Sequence, residues 1–309
     1  LKAKAGLNIK MHIDAMGSRL LSQNYIDHLK QNGIIFKFYH PFRFNHSFLK
    51  HINKRDHRKI IIIDSTIAYI GGMNLFSLIS HQYNGKQAWR DSHVKILGHM
   101  VDKLTYTFKR NFNEIKHRSK RFERFSSHND IVSTTNRFGR NYIRHFIHRY
   151  IKRSKKEIGI TMAYFIPDLQ TILLLIRAHK RGVKVHIITN SPEQCDVALV
   201  NRINRPILKY LIKKGLKVYY YKNRMLHAKS IYFDDKFATI GSSNMNYRSF
   251  FRDLEVNAFL RQEKWVDHLK TQFKQDLQNS RQVELKELKN ISIWNKAVDM
   301  FFYMIRSFF

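Results

Sequence analysis

Two stretches of the 309-residue sequence decide the fold: HRKIIIID at residues 57–64 with GGMN at 71–74, and HAKSIYFD at 227–234 with GSSN at 241–244. Each has the form H-x-K-x4-D, with a glycine and an asparagine behind it at the same spacing. His227 lies 170 positions after His57, and the other matched positions share that offset. One such motif can arise by chance, but two with the same downstream spacing indicate an internal duplication.

The flanks of the two motifs repeat more loosely. A predicted strand, helix and strand precede the first motif (residues 9–14, about 22–31 and 34–39), and a similar series precedes the second (183–188, a longer helix ending near 214, and 216–221). This order predicts an α/β fold of two lobes, residues 1–125 and 126–309, each a mixed β-sheet flanked by helices. The chain opens on Leu1 rather than Met, and its first residues resemble the end of a helix, so we expect an N-terminal truncation.

Strand periodicity sorts the residues of each motif. The β-branched run from Lys59 to Ile63 predicts a buried strand. Side chains alternate along a strand, so each His-x-Lys pair points to one side and the aspartate points to the other. The motif aspartates and glycines are therefore assigned to structural support: Asp64, Asp234, Gly71 and Gly241.

Two copies of a duplicated unit can face each other about a pseudo-two-fold axis, which predicts an active site at the interface of the lobes. That pocket would hold His57, Lys59, His227 and Lys229. Such a set suits a phosphodiester, because one imidazole can attack phosphorus while the other protonates the leaving oxygen and the lysines neutralise the non-bridging oxygens. We expect His57 to be the nucleophile. No acidic metal cage accompanies the motifs, so we expect neither a metal nor a cofactor.

Four further side chains are candidates for the same site. Asp91 and Glu255 can each hold a catalytic imidazole in one tautomer, and an apolar alternation after each predicts a strand near its motif. Asn74 and Asn244 follow the glycine turns and can donate amide hydrogens to phosphate oxygens.

The paired motifs resemble those of the phospholipase D superfamily. Several other segments resemble bacterial cardiolipin synthases: DAMGS at 14–18, NKRDHRK at 53–59, WRD at 89–91, YFIPD at 164–168, NYRSF at 246–250 and EVNAF at 255–259. The resemblance covers essentially the whole chain. It implies a duplicated phospholipase D-like fold and a metal-independent phosphohistidine intermediate. It also implies a transferase of phospholipid biosynthesis that moves a phosphatidyl group from one phosphatidylglycerol to another and releases glycerol.

Composition bounds the class of partner. The chain has 56 Lys and Arg against 23 Asp and Glu, a formal net charge of +33, and 43% hydrophobic residues, which excludes a disordered basic tail. A single cysteine, Cys195, excludes an intrachain disulfide and zinc sites built on paired cysteines. The charge points to nucleic acid or an anionic membrane surface, with a spread of solvated lysines as the alternative.

Other features favour the membrane. No run reaches the ~18 apolar residues that a membrane-spanning helix needs. Residues 294–309 are apolar and aromatic, which fits either an interfacial segment or a closing helix packed on the body. We expect an anionic phospholipid, phosphatidylglycerol, as substrate and a membrane surface as partner. The expected location is the cell membrane, peripheral or anchored through missing N-terminal sequence, on the cytoplasmic side.

Three alternatives stay open at this point. A nuclease of the same superfamily would use the same chemistry, and the net charge suits DNA. A phospholipid hydrolase would replace the acceptor alcohol with water. A binding protein would use the fold as a scaffold, although both intact motifs count against it. The sequence also leaves open the donor and acceptor lipids, the choice of nucleophile and the oligomeric state.

Overall fold

The computed structural model describes residues 2–41, 54–115, 129–134, 137–288 and 292–304. The predicted lobe boundary near residue 125 lies outside these ranges, as do residues 116–124 of the basic run and 305–309 of the apolar C-terminal segment.

Before residue 115 the described chain forms two small sheets and three α-helices. The strands are β1 Lys10–Asp14, β2 Ile35–Tyr39, β3 Ile60–Ile63, β4 Ile67–Gly71 and β5 His93–Leu97, and the helices are α1 Gln23–Gln31, α2 His81–Asn84 and α3 Met100–Asn111. β1 pairs with β2 in parallel, and β3, β4 and β5 form a separate antiparallel sheet. Helix α3 packs on that sheet with Val101 and Leu104 fully buried.

The prediction of a wholly buried β3 is wrong for one of its faces. Ile61 and Ile63 are 43% and 44% exposed, whereas Ile60 and Ile62 turn towards the core. The physical reason is that α3 and apolar residues of the second half pack on the side of the β3–β5 sheet that carries Ile60 and Ile62, whereas the side that carries Ile61 and Ile63 faces solvent. All four isoleucines favour a strand. A face of the strand is buried, however, only where another layer of the structure packs on it.

After residue 129 the chain forms one large sheet with helices on both faces. The strands are β6 Asp130–Ser133, β7 Glu157–Met162, β8 Lys184–Asn190, β9 Lys217–Tyr221, β10 Lys229–Phe233, β11 Phe237–Gly241, β12 Val256–Leu260 and β13 Ser280–Gln282. The helices are α4 Arg137–Arg153, α5 Leu169–Lys180, α6 Ala198–Lys213, α7 Tyr247–Phe251, α8 Glu263–Gln278 and α9 Ile293–Met304. The strand order is β13-β9-β8-β7-β10-β11-β12-β6, with β7, β8 and β9 parallel and the remaining pairings antiparallel.

Local sequence explains the central part of this sheet. Ile158, Ile160 and Met162 of β7 are almost fully buried. As predicted, Asp168 caps the following helix, its Oδ1 accepting the amide of Thr171 at 2.8 Å. The strand is therefore held between the helical layers at the middle of the sheet.

Helix α9 packs on the body, as the closing-helix interpretation of the apolar C-terminal segment predicts, and it also exposes apolar side chains. It packs on α6, where Asp299 is buried and pairs with Arg205 at 3.0 Å. Its outer face exposes Trp294, Phe301 and Met304. Among the described helices, none has both the length and the apolar character required to cross a bilayer.

The five described strands of the first half each have a counterpart in the second half, which differs most at the centre of its sheet. β1 and β2 match β8 and β9, and β3, β4 and β5 match β10, β11 and β12. A shared hydrogen bond supports the match: the amide of Asp56 donates to Asp14 Oδ2 at 2.9 Å, as the amide of Leu226 donates to Asn190 Oδ1 at 2.7 Å. In the second half β7 joins β8 to β10, whereas no described strand joins β1 to β3.

Candidate active site

The two motif histidines each pair with a carboxylate from the other half of the chain. His57 Nδ1 lies 3.0 and 3.1 Å from the carboxylate oxygens of Glu255, and His227 Nδ1 lies 2.7 Å from Asp91 Oδ2. The sequence placed each carboxylate near its own motif, but the structure crosses them. The crossing makes the lobe interface a single site with two imidazole–carboxylate pairs.

Backbone hydrogen bonds fix this crossing. The His57 amide donates to the Leu254 carbonyl at 2.9 Å, and the His227 amide donates to the Arg90 carbonyl at 2.7 Å. In each case the acceptor directly precedes the carboxylate residue. The histidine and its carboxylate are therefore aligned by the main chain as well as by their side chains.

Each motif lysine contacts the main chain of its own histidine, although both histidines precede the strands β3 and β10 rather than lying in them. Lys59 Nζ donates to the His57 carbonyl at 2.6 Å, and Lys229 Nζ donates to the His227 carbonyl. Burial lowers the pKa of Lys59 to about 8 and that of Lys229 to about 7, against the attraction of Glu255 and Asp91. The charge of Lys59 also lowers the pKa of Lys229, so the two ammonium groups share one pocket.

The two imidazoles have different surroundings. The His57 side chain is 30% exposed and that of His227 is 6% exposed. Burial and the charge of Lys229 lower the pKa of His227 to about 4, outweighing its bond to Asp91. His227 is consequently uncharged near neutral pH in the free protein.

Hydroxyl groups that the sequence analysis did not single out hold Glu255. Ser242 Oγ donates to Glu255 Oε2, and Ser249 Oγ donates to Oε1 at 2.6 Å. The Glu255 amide donates to Thr134 Oγ1 at 2.6 Å. Burial raises the pKa of Glu255, but His57, Lys59 and Ser242 outweigh it and keep the pKa below its usual value. The signal available in the sequence was the serine directly after Gly241.

Asp91 is held differently, by a main-chain hydrogen bond and by the room that Gly72 leaves for its carboxylate. Its Oδ1 accepts the Ser92 amide at 2.7 Å, and its carboxylate occupies the position where a side chain on Gly72 would stand. Burial raises its pKa, but the hydrogen bond to His227 and the charge of Lys229 outweigh it, so the pKa lies below its usual value. Gly71 and Gly241 likewise allow the neighbouring strand to approach closely.

The two asparagines are not equivalent in the structure. Asn244 is buried next to the serine hydroxyl groups that hold Glu255. Its main-chain amide donates to Ser249 Oγ at 3.1 Å, and its side-chain Oδ1 has no hydrogen-bond partner in the described part of the chain. Asn74 is exposed. Of the two predicted phosphate ligands, the structure brings only Asn244 into the buried cluster.

The motif aspartates lie in turns behind the site. Asp64 and Asp234 both have positive φ, 50° and 53°. The Asp234 carboxylate accepts the amides of Lys155, Lys156 and Glu157 at 2.8–2.9 Å and so fixes the start of β7. Asp64 is exposed in the matching turn.

Known proteins match this chain in sequence and in fold. A family model described as "Cardiolipin synthase, PLD-like domain" matches residues 147–277. The cardiolipin synthase of Halalkalibacterium halodurans is 34% identical over 96% of this chain and 61% of its own length, and that of Listeria innocua is 31% identical over 96% and 63%. The chain thus spans about 60% of the length of these curated relatives.

A solved structure matches nearly the whole chain. The phosphatidylserine synthase of Haemophilus influenzae superposes with a TM-score of 0.77 over 99% of this chain and 84% of that chain, at 14% identity. Likeness at that identity concerns the fold alone, and it confirms the predicted α/β class with two lobes.

Proposed function

We propose that the chain is a member of the phospholipase D superfamily and a phosphatidyltransferase of the cardiolipin synthase type. In this proposal it transfers a phosphatidyl group from one phosphatidylglycerol to the hydroxyl of a second and releases glycerol. We further propose that its two lobes meet near residue 125. The observation that carries the proposal is the pair of crossed imidazole–carboxylate contacts, His57 with Glu255 and His227 with Asp91.

The carboxylates prepare both rings for phosphorus chemistry. A carboxylate on Nδ1 fixes the tautomer with its proton on that nitrogen, which leaves the Nε2 lone pair free. One neutral imidazole can then attack phosphorus while the other exchanges a proton with the departing and arriving oxygens. The geometry supports either ring as the nucleophile, with the other ring as the general acid and base.

In the first step His57 Nε2 attacks phosphorus, and the bond from phosphorus to the glycerol oxygen breaks. Protonated His227 gives its proton to that oxygen, and glycerol leaves. In the second step the hydroxyl of another phosphatidylglycerol gives its proton to His227 and attacks phosphorus, and the bond from phosphorus to His57 breaks. Lys59, Lys229 and the side-chain amide group of Asn244 stabilise the non-bridging oxygens during both steps.

His227 takes up a proton from solvent when the substrate binds. Below about pH 7 the two ammonium groups of the free site balance the two carboxylates, and burial keeps His227 neutral. A bound phosphodiester adds one negative charge, which raises the pKa of a nearby imidazole. Substrate binding therefore favours the protonated acid that the first step needs.

We propose that an anionic phospholipid surface is the partner of the protein. The exposed side chains Trp294, Met300, Phe301 and Met304 of α9 suit contact with a bilayer interface, while the opposite face of the helix packs on the body. We propose a peripheral or anchored position at the cell membrane, on its cytoplasmic side; the exposed face of α9 supports the contact with a membrane.

Mass analysis of products tests the proposal. Incubation with phosphatidylglycerol vesicles alone should yield a dimeric phospholipid and glycerol. Dimeric lipid that appears only after phosphatidylethanolamine is added would overturn the chosen acceptor. Phosphatidic acid as the main product would indicate a hydrolase, and cleavage of plasmid DNA without any lipid product would indicate a nuclease.

The covalent step has its own test. Acid-free trapping during turnover should give a phosphorylated peptide that contains His57, and the His57→Ala and His227→Ala variants should each abolish turnover. A phosphorylated peptide centred on His227 would reverse the roles of the two rings.

A further inference from the structure

The segment that leads to Asp91 is longer than its counterpart in the second half. Asp91 follows Asn74 by 17 positions, whereas Glu255 follows Asn244 by 11. The longer segment folds into short turns of helix, namely Ser77–Ile79, α2 and Gly85–Gln87. The duplication therefore carries an additional structure beside only one of its two carboxylates.

This segment exposes apolar side chains, which its counterpart does not. We define the apolar rim as Met73, Leu75, Phe76, Leu78 and Tyr83, which are 38%, 82%, 49%, 38% and 75% exposed. No residue from 244 to 255 in the counterpart is exposed. A concentration of large apolar side chains at one surface marks an interaction site more often than single scattered ones do.

Ring contacts place the apolar rim at the active site. The ring of Phe76 lies 5.6 Å from that of Trp89, and the Trp89 ring lies 5.5 Å from the imidazole of His227. The Trp89 amide donates to the Leu78 carbonyl at 2.9 Å. A lipid whose phosphate reaches His227 therefore meets these side chains next.

The segment is held in its exposed shape. Asn84 Nδ2 donates to the Ser77 carbonyl at 2.6 Å, and the Asn84 amide donates to the Ser80 carbonyl at 3.0 Å. These bonds tie the helical turns to one another. The exposed leucines thus belong to an ordered surface rather than to a chain that can fold inwards.

The charges around the apolar rim match an anionic lipid. Residues 73–89 contain Lys86 and no aspartate or glutamate. Arg224 from the second half donates to the Ala88 carbonyl at 3.1 Å, which adds a second cation beside the segment. Apolar side chains next to cations are the pattern of interfacial segments on anionic bilayers.

We propose that the apolar rim is a membrane-contact surface, which inserts into an anionic bilayer and delivers the lipid phosphate to His227. This inference rests on the proposed lipid function of the same site. It goes further by assigning the contact to the first half of the chain, beside Asp91, rather than to α9 alone.

Vesicle binding by the whole chain tests the inference without requiring turnover. The test variant is Leu75→Ser/Tyr83→Ser, and the control is Leu20→Ser/Leu169→Ser, whose two leucines are 92% and 55% exposed elsewhere. The probe is a vesicle of equal parts phosphatidylglycerol and phosphatidylcholine. The test variant should bind about tenfold to a hundredfold more weakly, because it lacks two apolar side chains that become buried in the bilayer on binding. The control should bind like the unaltered chain.

A second measurement separates membrane contact from damage to the site. Turnover of dihexanoyl phosphatidylglycerol, kept monomeric in solution, should fall by a much smaller factor in the test variant than vesicle binding does. Equal vesicle binding by the test variant and the control would overturn the inference. So would a loss of binding confined to a Trp294→Ser/Phe301→Ser variant of α9, or an equal loss of turnover on monomeric lipid. If the unaltered chain binds vesicles through the apolar rim but makes no lipid product, the proposed function fails and the contact surface stands.

Discussion

Single side chains make the two halves of the site unequal. Glu255 is held by the hydroxyls of Ser242 and Ser249, whereas Asp91 is held by the Ser92 amide. The sequence supplied the identities of the histidines, lysines and carboxylates, because each chemical role demands a residue type at a fixed spacing. It could not supply the crossed pairing, because a linear pattern does not say which half a carboxylate will face.

Replacement of either carboxylate tests the role of the crossed pairs. In Glu255→Gln the amide no longer fixes the His57 tautomer, so kcat should fall by roughly 10³–10⁴-fold, as for the aspartate of a serine-protease triad. Asp91→Asn should do the same through His227. The measurement is kcat on phosphatidylglycerol with circular dichroism as a check of folding. A fall below tenfold in both variants would remove the carboxylates from the mechanism.

The buried lysines predict how activity depends on pH. Lys229 and Lys59 lose their protons as pH rises through about 7 and about 8, and His227 must gain one on binding. For monomeric lipid, kcat/KM should therefore fall steadily between pH 7 and 9, and a flat profile to pH 9.5 would contradict this.

The same lysines predict how stability depends on pH. The free energy of unfolding should rise over the range in which activity falls. Unfolded lysines hold protons up to their ordinary pKa of 10.5, so the destabilisation that burial of these two groups causes at low pH is relieved as pH rises from about 7.

At the scale of elements, the hairpins β3–β4 and β10–β11 have one sequence pattern and two environments. The strands themselves could be predicted, since β-branched runs bounded by turn residues favour them. The exposure of Ile61 and Ile63 could not, because burial depends on whether a second layer covers the sheet. The same contrast holds in the turns: Asp234 accepts the amides at the start of β7, whereas no described residue donates an amide of an adjoining strand to Asp64.

The two turn aspartates form a matched pair of variants. Asp234→Asn keeps a residue that tolerates positive φ but turns an amide donor towards the Lys155 amide, so it should lower the free energy of unfolding by roughly 1–3 kcal/mol. Asp64→Asn should change it by less than about 0.5 kcal/mol. Urea denaturation measures both. Equal losses in the two variants would show that Asp64 contributes as much to the free energy of unfolding as Asp234, despite its exposed position.

At the scale of the whole molecule, the core is concentrated in the second half. Strand β7 is buried and paired on both sides, by β8 and β10. Strand β1 is half-buried and is paired by β2, and the β1–β2 and β3–β5 sheets share no ladder in the described ranges. The duplication was evident from the sequence, but this imbalance depends on which strand fills the centre of each sheet.

Hydrogen exchange should reveal that imbalance. Amides of β7 and β10 should exchange at least about a hundredfold more slowly than those of β1 and β3, because local opening costs less where few buried contacts are broken. Mass spectrometry of peptic fragments gives the comparison. Equal protection of β1 and β7 would mean that the first half is stabilised as strongly as the second.

The exchange of carboxylates between the halves bears on how such a molecule could arise. A homodimer of one ancestral lobe would lend its acidic side chain across the two-fold axis in both directions, since an isologous contact occurs twice. Joining the two copies in one gene keeps that reciprocity but removes the demand that the copies stay identical. Such a fusion permits the two copies to diverge. Here serine hydroxyls hold Glu255, the absence of a side chain on Gly72 makes room for Asp91, and the apolar rim lies beside His227 alone.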